Sequence, residues 1–193
     1  RTHVRGYGVA FATQLLELLE HRFQVDRAAR FDDLEQRDFE QNLFRRGVAQ
    51  AQFRIGEHFD PRACEAFFAA GQALGARAVL VAGDDANEPC LTAAFAALCD
   101  EAAPFGLRCD LEFMPWTAVK DVAAAARIVN AAARPNGGVL VDAIHFARSG
   151  STQEELRALP REWLHYAQLC DAAVPGPATV EGLIHDARCA RLL

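Results

Sequence analysis

The sequence has no long apolar run, no excess of basic residues and no closely paired cysteines. No stretch of the 193 residues is apolar over the length needed to cross a bilayer, and the first residues lack the apolar segment of a secretory signal peptide. A formal net charge of −6 argues against a surface for nucleic acid or anionic membrane. These features predict a cytoplasmic protein with neither a nucleic-acid partner nor a membrane partner.

Two motif classes are also missing. The six cysteines are scattered without a Cys-x-x-Cys pair, which argues against a zinc ribbon or a thioredoxin-like motif. No glycine-rich phosphate loop of the GxGxxG or GxxxxGK[ST] type occurs, which argues against a nucleotide-binding open sheet. With 51% hydrophobic and 24% charged residues, the composition is that of an ordinary globular chain, and its length predicts a single domain over residues 1–193.

The apolar runs that remain predict an alternation of strands and helices. Strands are predicted over 48–55, 78–83, 107–113, 139–142 and 163–169, and helices over 60–74, 88–103, 117–133, 152–159 and 179–190, with a loop from 143 to 151. Before them, we predict a short strand over 6–12 and helices over 13–21 and 25–46, the second ended by Gly47. The strand ends recur roughly every 30 residues, which is the period of a βαβ unit and predicts a parallel sheet.

A closed (β/α) barrel and an open doubly wound sheet both fit this alternation. Polar residues at the carboxyl ends of several strands favour the barrel, because barrel active sites lie at that face. A complete barrel typically needs about 250 residues. We therefore expect an α/β fold of the parallel TIM-barrel type that is incomplete, with about six βα units and without the first and last strands. Such a fragment would expose strand edges, and we expect it to form homo-oligomers.

Two successive predicted strands end in a carboxylate. Glu112 ends the first, and Asp142 ends the second, with His145 three residues further on. A buried carboxylate is costly unless it binds something positive. Glu112 alone would be expected to pair with an arginine such as Arg108, and His145 alone would more often be structural. Taken together, the two acids favour a shared divalent metal ion.

The part of the chain from about Leu74 onward resembles the sugar phosphate isomerase/epimerase family of xylose-isomerase-like barrels. The resemblance rests on segments 74–85, 111–116, 136–145, 148–150, 166–171 and 191–193. A strand ending in Glu, a strand with Asp-x-x-His and a strand with Gln follow one another in the order typical of that family. The N-terminal part matches poorly, since Gln50 and Gln52 stand where relatives often carry acidic residues.

The resemblance implies a set of metal ligands. Glu112, Asp142 and Gln168 would hold a divalent cation, and the fourth ligand, a Glu, would lie beyond Leu193. Gln168 has a structural hydrogen bond as its alternative role. Oxygen-rich ligation suits Mg²⁺ or Mn²⁺, and Co²⁺ or Zn²⁺ are further candidates.

The resemblance also implies substrate contacts. His145 would contact the substrate oxygens beside the metal, and Arg191 would bind substrate. Trp116 lies just beyond a strand end, where it could form an apolar wall of the pocket or pack against the next helix. The residues His165 and His185 are interpreted as histidines without a partner, and Asp84-Asp85 as a helix-capping turn.

This ligand set predicts proton abstraction next to a carbonyl. The metal would stabilise an ene-diolate, and Glu112 would act as the base. The expected activity is that of an isomerase, an epimerase or a related dehydratase acting on a sugar, a sugar phosphate or a polyol. The alternative is a non-catalytic or degenerate barrel that binds a small ligand.

Overall fold

A parallel sheet organises the part of the chain that the computed structural model describes, residues 48–56 and 59–192. Its strands are β1 (Val48–Ile55), β2 (Ala78–Gly83), β3 (Arg108–Glu112), β4 (Gly137–Asp142) and β5 (Ala167–Gln168). They lie side by side in chain order, and every neighbouring pair is parallel. This order is that of successive units of a (β/α) barrel, whereas a doubly wound sheet reverses its order. The predictions for residues 1–47, and the side chains of Gln50 and Gln52, lie outside the described residues.

Helices connect the strands. They are α1 (Glu65–Ala73), α2 (Glu88–Ala102), α3 (Val122–Ala132), α4 (Ala143–Arg148), α5 (Gln153–Ala158) and α6 (Val180–Cys189), with short 3₁₀ turns over Pro61–Cys64, Ala103–Phe105 and Arg161–Trp163. Polar caps fix where several of them begin: Asn87 accepts a hydrogen bond from the Cys90 N–H at the start of α2, and Thr152 forms a capping box with Glu155 at α5. Among the described residues, none of the helices combines the length and the apolarity needed to cross a bilayer.

The core lies between the sheet and the helices that cover it. Strands β2 and β4 are buried at every position, as expected for parallel strands covered on both faces. The largest fully buried side chains include Phe68, Phe95 and Phe113. This packing leaves the carboxyl ends of β3, β4 and β5 side by side at one edge of the sheet.

Two predicted elements are wrong in extent. The helix predicted from Thr117 begins only at Val122, because the Thr117 hydroxyl hydrogen-bonds to the carbonyls of Met114 and Val119, and Asp121 caps the helix instead. The strand predicted over 163–169 shrinks to Ala167–Gln168. The Trp163 and Leu164 N–H groups donate to carbonyls three residues back in a turn, and are not free for the sheet.

A third correction concerns the predicted loop over 143–151. The helix α4 begins there, and the Asp142 carboxylate caps it by accepting a hydrogen bond from the Ile144 N–H at 3.0 Å. This helix places His145 one turn beyond the end of β4.

Candidate metal centre

Three titratable side chains meet at the carboxyl ends of β3 and β4. Glu112 is the last residue of β3, Asp142 is the last of β4, and His145 lies in α4. One ligand atom from each lies within 4.8 Å of the others. All three residues are at most 3% exposed. Gln168 lies directly opposite Asp142 in the β4–β5 pairing, so the sheet brings all the predicted ligands to one edge.

Among the described residues, Glu112 has no positively charged group at hydrogen-bonding distance. Burial, together with the negative charge of Asp142, raises its pKa to about 8, against a smaller opposing effect of Arg191. Among the described residues its ion-pair contact is to His145 Nε2 at 3.7 Å, too long for a hydrogen bond. Arg108 begins β3 at its other end and is exposed, so the alternative pairing with Arg108 is not formed.

His145 is held as a neutral imidazole. Burial lowers its pKa to about 4, and the negative charge of Asp142 only partly offsets that effect. Its Nδ1 atom is buried without a hydrogen-bond partner in the described chain. The Trp116 ring stands edge-on to the imidazole with the ring centroids 5.1 Å apart. A neutral imidazole can ligate a metal ion or contact a substrate.

Of the three side chains, Asp142 is the one whose two carboxylate oxygens both accept hydrogen bonds. One carboxylate oxygen caps α4, and the other accepts a hydrogen bond from Arg191 Nη1 at 2.7 Å. Arg191 is itself tied to the Ala187 carbonyl through Nε at 2.6 Å. The Cys170 thiol lies 4.0 Å from Asp142. The guanidinium therefore compensates the charge of a carboxylate that is fully buried.

The donor set fits a divalent cation. Two carboxylates and a neutral imidazole are ligands that Mn²⁺, Mg²⁺, Co²⁺ and Zn²⁺ accept. Two features of this structure support the fit: the His145 Nδ1 atom has no partner, and the Glu112 carboxyl has no positive group within hydrogen-bonding distance among the described residues. Glu112, Asp142, His145 and the neighbouring Gln168 are the residues that would hold the ion.

The two acidic residues after β2, Asp84 and Asp85, do not belong to this group of side chains. Asp85 accepts a hydrogen bond from the Asn87 N–H at 2.8 Å, and Asn87 caps α2. Asp84 forms an ion pair with Arg54 and accepts a hydrogen bond from the Ala118 N–H. Both carboxylates therefore have partners, a nearby main-chain N–H for Asp85 and groups from two distant segments for Asp84.

A second polar layer inside the sheet was not predicted. His165 was expected to have no partner, and this is wrong: its Nδ1 lies 2.5 Å from Asp110 Oδ1. Burial raises the pKa of Asp110, against the opposing effect of His165. The Tyr166 hydroxyl is buried and has no hydrogen-bond partner in the described part of the chain; burial and the charges of Asp110, Glu112 and Asp142 raise its pKa. The available signal was spacing: Asp110 precedes Glu112 by two residues and so shares its face of the strand.

Comparison with known proteins identifies the family. The family model described as a xylose isomerase-like TIM barrel matches residues 16–185. The chain belongs to this family. The resemblance seen in the sequence and the predicted α/β barrel fold are thereby confirmed.

Solved structures agree on the fold. The chain superposes on a xylose isomerase-like TIM barrel/4-hydroxyphenylpyruvate dioxygenase fusion protein with a TM-score of 0.63 and 24% identity, covering 72% of this chain and 24% of that one. The IolI protein, solved with a bound zinc atom, gives a TM-score of 0.53 at 20% identity over 62% of this chain and 51% of its own. A xylose isomerase domain protein from Salmonella typhimurium LT2 gives 0.58 at 13% identity over 83% and 74%.

At sequence identities of 13–24%, the similarity to these structures establishes the fold and does not extend to function. The chain spans about a quarter and about half of the first two structures, as the coverages above show. The search of curated proteins gave no match.

Proposed function

We propose that this protein is a divalent-metal-dependent isomerase or epimerase, or a related dehydratase, acting on a sugar, a sugar phosphate or a polyol. The observation that carries the proposal is the convergence of Glu112, Asp142 and His145 within 4.8 Å at the carboxyl ends of two barrel strands. Family membership supports it, because this is the face where barrel enzymes place their active sites.

Glu112 is the proposed base. When bound, a divalent cation would polarise a substrate carbonyl and its neighbouring hydroxyl. Glu112 would then accept the proton from the carbon next to that carbonyl. Without a cation, burial and the charge of Asp142 raise the pKa of Glu112 to about 8; a bound cation would favour its ionised form, which is the form that accepts a proton.

The surrounding residues have proposed roles in binding. Gln168 would complete the ligand set through its carbonyl oxygen. His145, as a ligand of the ion, would stand beside the substrate oxygens, with Trp116 edge-on behind it as a pocket wall. Arg191 keeps about a third of its side chain exposed while it pairs with Asp142, so its outer N–H groups could hold a substrate oxygen.

One observation favours a second function, that of a non-catalytic barrel which binds a small ligand. The Arg191 guanidinium occupies the Asp142 oxygen that a cation would use. If this ion pair is permanent, it replaces the metal, and the chain retains only a polar pocket.

Calorimetric titration tests the site. Mn²⁺ is titrated into the full-length protein, its Asp142→Ala variant and the matched variant Asp84→Ala, with circular dichroism checking the fold. We expect Asp142→Ala to lose binding and Asp84→Ala to retain it. Unchanged binding in Asp142→Ala would reject the site.

Hydrogen exchange with solvent separates the two functions. The Mn²⁺-loaded protein is incubated in D₂O with a panel of ketoses, ketose phosphates and polyol-derived ketones. Deuterium incorporated at the carbon next to the carbonyl supports the enzyme. Ligand binding without any incorporation supports the binder.

A further inference from the structure

Arg191 supplies a positive charge to the metal centre. Its Nη1 atom donates to Asp142 Oδ2 at 2.7 Å, and its Nε atom donates to the Ala187 carbonyl at 2.6 Å. The Asp142 side chain is fully buried, whereas the Arg191 side chain is 34% exposed. One end of the guanidinium is therefore anchored on α6, and the other end binds a predicted metal ligand while the group stays in contact with solvent.

The segment that carries Arg191 closes on itself. Asp171 and Leu192 exchange two main-chain hydrogen bonds, of 2.7 and 2.8 Å, so residues 171–192 form a loop whose two ends meet. We call this loop the strap. Cys170 and Arg191 are the residues next to the two ends, and the Cys170 Sγ atom lies 3.7 Å from Arg191 Nη1. The closed strap thereby holds the guanidinium at the carboxyl end of β4.

Arg148 of α4 fastens the strap at two further points. Its Nε atom donates to Asp186 at 2.9 Å, and its Nη2 atom donates to the Ala173 carbonyl at 2.6 Å. The Arg148 and Asp186 side chains are 11% and 7% exposed, so this ion pair is shielded from water. Gly176 packs on the Arg148 guanidinium, where a Cβ atom would stand 2.6 Å from Cζ. Because these contacts hold the strap, the Arg191 guanidinium can leave its partner without moving the main chain.

A guanidinium and a divalent cation compete for the same carboxylate oxygen. An ion bound to Asp142 Oδ2 at about 2.0–2.4 Å would stand at most about 5 Å from Arg191 Nη1, which is 2.7 Å from that oxygen. Two positive groups this close repel each other strongly where little water screens them, and Glu112 and His145 are each 3% exposed. The ion would gain two carboxylates and an imidazole, whereas the guanidinium holds one carboxylate. The guanidinium is therefore the group that leaves.

We propose that Arg191 is a displaceable counter-cation of the metal centre: its guanidinium neutralises Asp142 in the metal-free protein, and a divalent ion binds by driving the guanidinium out toward solvent. The proposal rests on the proposed function, because it concerns the same metal site. It explains how the ion pair and metal binding are compatible. Without a metal ion, the guanidinium prevents the high cost of a fully buried carboxylate that has no partner.

The first test is calorimetric titration of Mn²⁺ into the full-length protein and its Arg191→Met variant. Arg188→Met is the matched control, because Arg188 is exposed, lies three residues earlier and carries the same charge. We expect Arg191→Met to bind Mn²⁺ about 10- to 100-fold more tightly, since one hydrogen bond between charged groups no longer has to be broken. Arg188→Met should stay within about twofold of the unmodified protein.

The outcomes separate this proposal from the proposed function. Mn²⁺ binding that Arg191→Met leaves unchanged or weakens would overturn the proposal while the metal site stands. Binding that occurs only in Arg191→Met would show a permanent ion pair, which also overturns displacement and favours the non-catalytic barrel. No binding in any variant would reject the metal site and the proposal with it. If Arg191→Met fails to fold, Arg191→Lys replaces it, with at least about threefold tighter binding expected because lysine lacks the second anchoring N–H.

The second test observes the displacement by NMR in protein labelled with ¹⁵N-arginine. Arg191→Lys assigns the Arg191 signals by their loss. In protein treated with a chelator, we expect slow hydrogen exchange at the Arg191 Nη groups, because Nη1 is bound to Asp142. Saturating Mg²⁺ should speed this exchange and preserve the Nε signal, which the Ala187 carbonyl holds. Nη groups that still exchange slowly in Mg²⁺-saturated protein would overturn the proposal, whether or not the protein is an active enzyme.

Discussion

Acidic residues follow β2 and end β3 and β4, yet the two places differ in what surrounds the acids. After β2, the side chain of Asp84 is 27% exposed and paired with Arg54, and Asp85 accepts a main-chain N–H. At the end of β3, the Glu112 side chain is 4% exposed, and its ion-pair contact in the described chain is a neutral histidine at 3.7 Å. Glu112 therefore differs from Asp84 and Asp85 in having no hydrogen-bonded donor among the described residues.

The difference comes from the segments that follow the strands. After β2, the Asn87 N–H of the turn into α2 donates to Asp85, and Asp84 is bound by Arg54 and by the Ala118 N–H. After β3, residues 113–121 contain no helix. The Thr117 hydroxyl donates to the carbonyls of Met114 and Val119, and the Ala118 N–H donates to Asp84, so none of these bonds reaches Glu112. Glu112 is therefore buried without a local donor, and its pKa rises as a result.

The largest expected effect is the loss of solvent exchange when the proposed base is replaced. Glu112→Gln should lower solvent exchange in the Mn²⁺-loaded protein by about 10²- to 10⁴-fold, because it removes the proposed base. Asp84→Asn, the matched change at the other strand end, should leave the rate within about twofold. Equal losses in both variants, measured by deuterium incorporation, would show that the two acids do not differ in function.

The second largest expected effect is the dependence of Mn²⁺ affinity on pH. Since the pKa of Glu112 is about 8, the group carries a proton at neutral pH and must release it when a cation binds. Affinity for Mn²⁺ should therefore fall as the pH drops below 8, approaching tenfold per pH unit, or about 50-fold between pH 8 and pH 6. His145, with a pKa of about 4, is neutral throughout this range and adds nothing.

Calorimetry in two buffers of different ionisation heat measures the released protons. We expect about one proton per bound Mn²⁺ at pH 6.5 and close to none above pH 9. Glu112→Gln should abolish the release, and Asp84→Asn should preserve it. Affinity that does not change with pH would contradict the assignment.

A smaller effect compares glycines of β4 and β2. Gly138→Ala should lower the free energy of unfolding by about 1–3 kcal/mol, because the new methyl group would meet the Trp163 carbonyl and the bonded Asp110–His165 pair. Gly83→Ala should cost less, since its methyl group would meet side-chain carbons of Val119 and Leu91, which can shift. Urea unfolding of both variants measures the difference, and a larger loss for Gly83→Ala would reverse the expectation.

The smallest effect is expected at the surface. Arg54→Ala removes the partner of Asp84, but Arg54 is 71% exposed, and surface ion pairs contribute at most about 1 kcal/mol. Urea unfolding should show a loss below that size, with Mn²⁺ affinity unchanged. A loss of several kcal/mol would mean that the turn after β2 supports the sheet more strongly than its exposure indicates.

The order of strands and helices could be predicted from the sequence because it depends on local patterns. The apolar run before Asp142, and the caps at Asn87 and Thr179, are visible without knowledge of distant contacts. The proximity of Glu112 and Asp142 could also be predicted, because the carboxyl ends of neighbouring parallel strands meet at one edge of the sheet.

Other features depend on contacts between distant segments. His165 binds Asp110, which lies 55 residues earlier, and nothing near either residue indicates the pair. The short β5 depends on the turn that Pro160 begins, and the Arg191–Asp142 contact joins residues 49 apart. These contacts follow from how the units pack, and a pattern of single residues does not contain that information.

Anomalous diffraction from crystals of the full-length protein soaked in MnCl₂ tests the central claim most directly. The account predicts one strong manganese peak among the Glu112, Asp142 and His145 side chains, at about 2.0–2.4 Å from the carboxylate oxygens. A peak beside Asp84 instead, or no peak between Glu112 and Asp142 with the Arg191 guanidinium still bound there, would contradict it.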